Sequence, residues 1–372
     1  MSARVHPAGV ITPRRADGET LRVGELPGDV EAPKSARSRV RRWLPPTVAV
    51  VLVVGIFVFV LPRIADYRQV WDVVKTLSWE EAVLLLVVTA INVVTYAPPF
   101  MAALPGLRFM PALTLTQAST ASTYVAPGGA AVGMTLAYAM LRAWGFATPD
   151  VTIAVTVTGV WNQFVLLGSP AIGLALLTAV GGKNSLLQSV ALIGFAVFVI
   201  AVGGFVAGLS SASLARRVGD LAARICTRLL ALVRRKPVTW NGETLAAFRR
   251  RTIGLLRARW WQLTLSTIAG QLSVFLVMLV ALRSLGVSSS EVSLIEAFAA
   301  WSVSRLIGSL PLTPGGLGLV ELGLTGALVG FGGQNAEVVA AVLLYRVLTI
   351  VPTLLLGSIA GFTWRRHART AS

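Results

Sequence analysis

The chain has 372 residues, of which 55% are hydrophobic and 13% charged, with a formal net charge of +17 and a mean hydropathy of +0.74. An ordinary soluble domain carries about 25% charged residues, so a soluble core cannot absorb this much apolar surface and the chain reads as an all-α polytopic integral membrane protein. Its basic residues cluster beside hydrophobic runs, where they face anionic lipid headgroups, and this excludes the nucleic-acid role that +17 suggests in a soluble protein.

Residues 1–44 are rich in Pro, Gly and Arg and read as a disordered basic tail. The first apolar run begins near residue 46, too far in for a secretory signal peptide. A helix needs about 20 apolar residues to cross the hydrocarbon core, with about 17 as the lower limit. Residues 46–62, 79–101, 150–179, 186–209, 261–284 and 337–362 meet this and read as six full spans within one membrane domain, 45–364.

Two further apolar regions are broken in mid-run. Residues 111–144 are interrupted by Pro127, Gly128 and Gly129, and residues 292–331 by Pro311, Pro314, Gly315 and Gly316. Each break leaves two arms too short for comfortable spans, which suits a re-entrant helical hairpin. Two short tilted spans, or one kinked span with an interfacial helix, are the alternatives.

Residues 210–260 form the one long polar stretch between spans, with Asp220 and Glu243 as their only acidic residues. Leu214, Val218, Leu221, Ile225, Leu229 and Leu232 recur at spacings of three and four, so this basic loop reads as an amphipathic helix on the membrane surface or as a solvated linker. Trp240 and Phe248 are too few aromatics for base stacking, so no nucleic-acid partner is expected. A second basic tail follows, 365–372.

Lys and Arg accumulate on the cytoplasmic side. If both hairpins return to the face from which they start, the two tails and the 210–260 loop share one side, and together they hold 24 of the 33 Lys and Arg. Both termini are therefore expected in the cytoplasm of a multi-pass protein of a bacterial plasma membrane. Two full spans in place of each hairpin give the same parity.

Residues 120–155 align without gaps on 307–342 at an offset of 187, pairing Pro127, Gly128, Gly129 with Pro314, Gly315, Gly316. Ser122 meets Ser309, Leu141 meets Leu328, Gly145 meets Gly332 and Asp150 meets Glu337. Each copy reads as span, hairpin, span, and the extra span at 186–209 turns the second copy over. Such an inverted repeat places a substrate site near the midplane between broken helices. A helix N-terminus freed at a break can receive an anionic group; alternatively Pro and Gly merely turn the chain.

Charges inside apolar segments are costly and mark function or a buried pair. Glu321 follows the second break, Arg305 precedes it, and Arg346 lies in the last span beside Tyr345. Glu321 pairs with Arg346 or with Arg305, or an arginine binds a lipid phosphate while the Glu gates. Asn92, Gln117, Asn162, Gln163 and Gln271 are further polar candidates, each expected to bond a neighbouring helix. With Cys226 as its only cysteine and His6 and His367 as its only histidines, the chain offers no disulfide and no metal site. No cofactor is expected, and no catalytic residue.

The run Pro314, Gly315, Gly316, Leu317, Gly318 and Glu321, followed by Tyr345, Arg346 and Gly357, resembles the signature of the lysylphosphatidylglycerol synthase transmembrane-region family. This is the flippase-like membrane domain of multiple peptide resistance factors. The resemblance implies re-entrant helices in inverted repeats and the movement of aminoacylated phospholipid between leaflets. Its bifunctional members add a soluble transferase, for which eight residues after Trp364 leave no room, so synthase activity is not expected. Many members carry a charged residue soon after the glycine of the first hairpin, where this chain has Ala130, Ala131, Val132, Gly133 and Met134.

The expected function is that of a lipid translocase, not an enzyme, moving a phospholipid or polyprenyl-phosphate headgroup. Arg305 and Arg346 would hold phosphate, Glu321 would gate, and the two glycine turns would line the path. The rival is a membrane scaffold whose basic loop recruits anionic lipid or a partner enzyme. An intramembrane enzyme is the weakest reading, because no His, Cys or paired carboxylates fall in the spans.

Overall fold

The computed structural model describes residues 67–125, 129–181, 185–211, 213, 227, 242–310 and 313–367. The expected first span, 46–62, both basic tails up to residue 44 and from 368, and the apolar stripe from Leu214 to Leu232 lie outside the described residues. Among those described every element is helical. In chain order they are α1 (Tyr67–Lys75), α2 (Trp79–Thr95), α3 (Pro98–Ala103), α4 (Phe109–Val125), α5 (Gly129–Ala143), α6 (Thr148–Gly181) and α7 (Ser185–Ser210). After these come α8 (Gly242–Ser284), α9 (Leu294–Gly308), a 3-10 turn (Pro314–Gly316), α10 (Leu319–Phe331) and α11 (Asn335–His367).

Five stretches among the described residues are long and apolar enough to cross a membrane: 79–103, 148–180, 192–210, 246–284 and 335–361. The first departs from its expected form. Pro98 and Pro99 lack an N–H and disfavour a helical residue before them, so α2 stops at Thr95 and α3 restarts at Pro98. The other end of α2 is fixed by Ser78, whose hydroxyl accepts from the Glu81 N–H while the Glu81 carboxylate accepts from the Ser78 N–H.

The fifth expected span also begins earlier than its apolar pattern indicates. Helix α8 starts at Gly242, so the end of the basic loop is helical and continues into the membrane segment. Its 43 residues reach about 64 Å at 1.5 Å per residue, twice the hydrocarbon thickness. The arginines of its first turns mask this continuity in a hydropathy reading. Exposed Trp260 and Trp261 mark the point where it passes into the apolar layer.

Each broken region folds as a pair of packed helices, α4 with α5 and α9 with α10. Their arms have 13 to 17 residues, about 20 to 25 Å, less than the roughly 30 Å of a hydrocarbon core. Helix α11 orders the two pairs. At its C-terminal end the Trp144 indole N–H, just past α5, donates to the Trp364 carbonyl at 3.2 Å. At its N-terminal end Val338 packs against Gly333, which follows α10 and also faces Val292. The open ends of the two pairs thus sit at opposite ends of α11.

The 187-residue offset recurs in the helices. Thr148 opens α6 and Asn335 opens α11, Asp150 and Glu337 sit in those first turns, and Leu141 and Leu328 are both fully buried. Gly145 and Gly332, which close the second arms, have φ of 89° and 124°. The second arms start at different points, α5 at Gly129 and α10 at Leu319, the latter after a 3-10 turn.

One apolar core gathers Trp301, Tyr345, Met278, Leu324 and Leu328 around α8 to α11, and a second gathers Leu115, Met140 and Leu141 around α3 to α6 with Leu263 of α8. Helix α4 lies along α11, and Gly357 permits the approach: a Cβ there would stand 2.3 Å from that of Ala121 and 2.6 Å from the Gln117 carbonyl. Helix α7 is peripheral. It is held to α6 by Phe205 against Trp161 and Phe164, and its apolar stretch 192–210 buries none of its residues.

Candidate site at the hairpin junction

The second hairpin turns on three residues in the left-handed region, Gly315, Gly316 and Gly318, with φ of 60°, 69° and 83°. Space excludes side chains as firmly as the backbone does. A Cβ on Gly315 would fall 2.1 Å from Cδ1 of Tyr124, and one on Gly316 would fall 2.8 Å from the Gly308 Cα. Tyr124 belongs to the last turn of α4, so the turn of the second hairpin lies directly against the end of the first hairpin's leading arm.

The Glu321 carboxylate folds back on the start of α10, where Oε2 accepts from the Gly318 N–H at 2.6 Å. Its Oε1 accepts from Arg346 Nε at 2.5 Å, and both side chains are almost completely buried. Arg346 Nη2 donates in turn to the Gly315 carbonyl at 3.1 Å. One arginine on α11 therefore binds the carboxylate of α10 and the backbone of the turn together. Of the two pairings open to Glu321, the structure forms the one with Arg346. Removing either partner would leave an uncompensated buried charge, at a cost of about 3–5 kcal/mol.

Arg305 stands apart from this pair. Among the described residues no carboxylate lies within ion-pairing distance of it. Its Nη2 donates to Gln271 Oε1 at 3.2 Å, and Gln271 Nε2 donates to Asn162 Oδ1 at 2.7 Å, so α9, α8 and α6 are linked by one chain of hydrogen bonds. Among the described residues the buried Nε of Arg305 has no partner.

Tyr345 is fully buried beside Arg346, with its hydroxyl unpartnered. Tyr96 lies within electrostatic reach of Arg305, Tyr124 and Tyr345, which draws the ends of α2, α4, α9 and the middle of α11 into one neighbourhood.

Of the other residues singled out in the sequence, Pro127 and Gly128 lie outside the described residues. Gly129 opens α5, pressed on the Thr123 backbone, where a Cβ would meet the carbonyl oxygen at 2.2 Å. Pro314 opens the 3-10 turn. Asn92 donates to Ser273 at 2.9 Å and Gln117 to the Val93 carbonyl at 3.3 Å, both joining helices as expected. Tyr124 and the continuity from Asn162 through Gln271 to Arg305 have no sequence signature, because each joins elements far apart in the chain. Next to the junction a shallow groove of about 290 Å³ runs between α4 and α11, lined by Ala118, Ala121, Val125, Leu354 and Gly357, with Ser122 and Ser358 as its polar residues.

A family profile described as the lysylphosphatidylglycerol synthase TM region matches residues 47–357. The chain belongs to that family. The match takes in both hairpins, the Glu321–Arg346 pair and Gly357, and with the apolar helices it makes this a multi-pass membrane protein. No curated protein matches the chain.

Proposed function

We propose that this member of the lysylphosphatidylglycerol synthase transmembrane-region family is a lipid translocase of the bacterial plasma membrane, with both termini in the cytoplasm. It moves a phospholipid or polyprenyl-phosphate headgroup across the bilayer. The observation that carries this reading is the contact of the second hairpin's turn with the end of the first hairpin's leading arm, Gly315 against Tyr124, with the open ends of the two pairs at opposite ends of α11. Read as re-entrant pairs of an inverted repeat, they reach the midplane from opposite faces and leave a contact rather than a continuous span between the leaflets. The headgroup crosses at that contact, and the acyl chains remain in the apolar layer along the α4–α11 groove.

The site's chemistry favours an anion. Among the described residues Arg346 has one close carboxylate, Glu321, and Arg305 has none, so the two arginines together carry an excess positive charge. Arg346 is bound to Glu321 and to the Gly315 carbonyl, which makes that pair the latch on the second hairpin and leaves Arg305 as the cation with capacity for phosphate. The protein acts without catalysing a covalent step. It has no Walker-type phosphate loop, so movement follows a gradient or the lipid's own concentration difference.

The test is a scrambling assay in proteoliposomes carrying headgroup-labelled phosphatidylglycerol, quenched from outside with an impermeant reductant. The wild-type protein is expected to expose the inner-leaflet label, and the latch variant Glu321→Gln to change that rate. If neither phosphatidylglycerol, phosphatidylethanolamine nor a polyprenyl phosphate crosses faster than in protein-free vesicles, the translocase reading fails.

A further inference from the structure

We infer that Arg305, oriented by the Asn162–Gln271 pair and without a carboxylate partner among the described residues, is the subsite for the phosphate group of the ligand, and that Gln271 is its positioning residue. This deepens the translocase reading and rests on it only for the source of the anion.

The hydrogen bonds fix their own direction. Asn162 Oδ1 takes the amide N–H of Gln271, so Gln271 must turn its Oε1 towards Arg305. The reversed amide would set its NH2 against a guanidinium that has only donors. Arg305 is thereby held by a neutral acceptor, which orients the guanidinium without cancelling its charge. Arg346, by contrast, is neutralised by Glu321 at 2.5 Å.

Donor capacity remains at Arg305. Among the described residues its buried Nε has no partner, and the buried indole N–H of Trp301, one helical turn earlier on α9, has none either. An unpaired cation inside a membrane bundle is costly, and an anionic oxygen offsets that cost through charge-assisted hydrogen bonds in the forked geometry that suits phosphate.

The far end of the relay is open. Asn162 and Gln163 are exposed on the flank of α6, in the middle of a 34-residue helix, where polar side chains of membrane proteins line accessible space. Gln271 lies about midway between Trp260 and Arg283 on α8, well inside the apolar stretch of that helix.

The decisive variant is Gln271→Glu. It sets a carboxylate where Gln271 Oε1 now accepts, and so neutralises Arg305 in place. The purified full chain in detergent is titrated with dioctanoyl-phosphatidylglycerol, with inorganic phosphate, and with dioctanoylglycerol, which has the chains without the phosphate. Ligand binding is read as a rise in the thermal midpoint.

The wild-type midpoint is expected to rise with the phospholipid and not with dioctanoylglycerol; a rise with inorganic phosphate as well assigns the site to the free anion too. Gln271→Glu is expected to hold or raise the ligand-free midpoint, because it pairs Arg305, and to weaken the phosphate response at least tenfold. A purely structural relay would leave that response unchanged. Asn162→Ala, at an exposed position, is expected to weaken it less and decides the matter if Gln271→Glu does not fold.

The inference is overturned if both variants respond as the wild type does, or if the wild type responds to no phosphate-bearing probe. A wild type that binds but does not scramble removes the translocase reading and keeps the subsite. One that scrambles with Gln271→Glu unaltered in binding does the reverse.

Discussion

The two hairpins occupy equivalent places in the chain and hold their arms together by different means. The second is closed by charge, through Glu321, Arg346 and the Gly315 carbonyl, on a backbone that only glycine can follow. The first turn of α5 carries no acidic residue, and its arms are held by contact: a Cβ on Gly133 would stand 2.7 Å from the Ser119 carbonyl. Close packing admits one arrangement, whereas an ion pair can open and re-form. The second hairpin is thus the one whose closure rests on a separable polar contact.

The largest effect is expected at the latch. Arg346→Ala strands the Glu321 carboxylate in the core and should cost about 3–5 kcal/mol, measured by unfolding in detergent. Glu321→Gln combined with Arg346→Met removes both charges and should recover most of that stability. A single variant as stable as wild type would show that the latch holds nothing.

The first hairpin should fail by overpacking instead. Gly133→Val is expected to lose about 1–3 kcal/mol. Gly326→Val, on the arm of the second hairpin with nothing within 4 Å of the added Cβ, should change stability little. Equal losses at both sites would erase the contrast.

The glycines closing the second arms give a smaller effect that sharpens the correspondence between the copies. Gly145→Ala meets open space and carries only the strain of its positive φ, about 1–2 kcal/mol. Gly332→Ala should lose more, because its Cβ would also stand 3.1 Å from the Glu291 carbonyl oxygen.

The smallest effect is a pH dependence at the open end of the second hairpin. The Glu291 carboxylate accepts from the Ser288 N–H at 2.7 Å and its hydroxyl at 2.9 Å, which holds it below the ordinary carboxylate range. A lowered folded-state pKa contributes stability that is fully present above the unfolded value near 4.5 and is lost as pH falls through the folded value. The thermal midpoint of Glu291→Gln should thus approach that of the wild type only below about pH 4.5. A gap that persists to lower pH would rule out this origin.

Much of this arrangement was legible in the sequence. Apolar run length located every described span, and Pro-Gly-Gly located the second turn, because hydropathy and backbone conformation are local properties. The charges of Glu321, Arg305 and Arg346 stood out against apolar surroundings for the same reason. Their partners did not. The choice between Arg346 and Arg305 as mate of Glu321 depends on how α10 and α11 face each other, and no residue spacing encodes that. Tyr124 covers Gly315 from another hairpin, and Gln271 reaches Arg305 from another helix. The start of α8 was hidden because its first turns carry the arginines that mark a loop in a hydropathy reading.

The central claim is that the hairpins approach from opposite faces of the bilayer, and labelling of their open ends tests it most directly. In a Cys226→Ser background, Ala147→Cys follows the first hairpin and Ser289→Cys precedes the second, both at exposed positions. An impermeant maleimide applied to right-side-out and inverted vesicles is expected to modify Ser289→Cys only from the outer face and Ala147→Cys only from the cytoplasmic face. Modification of both from the same face would contradict the account.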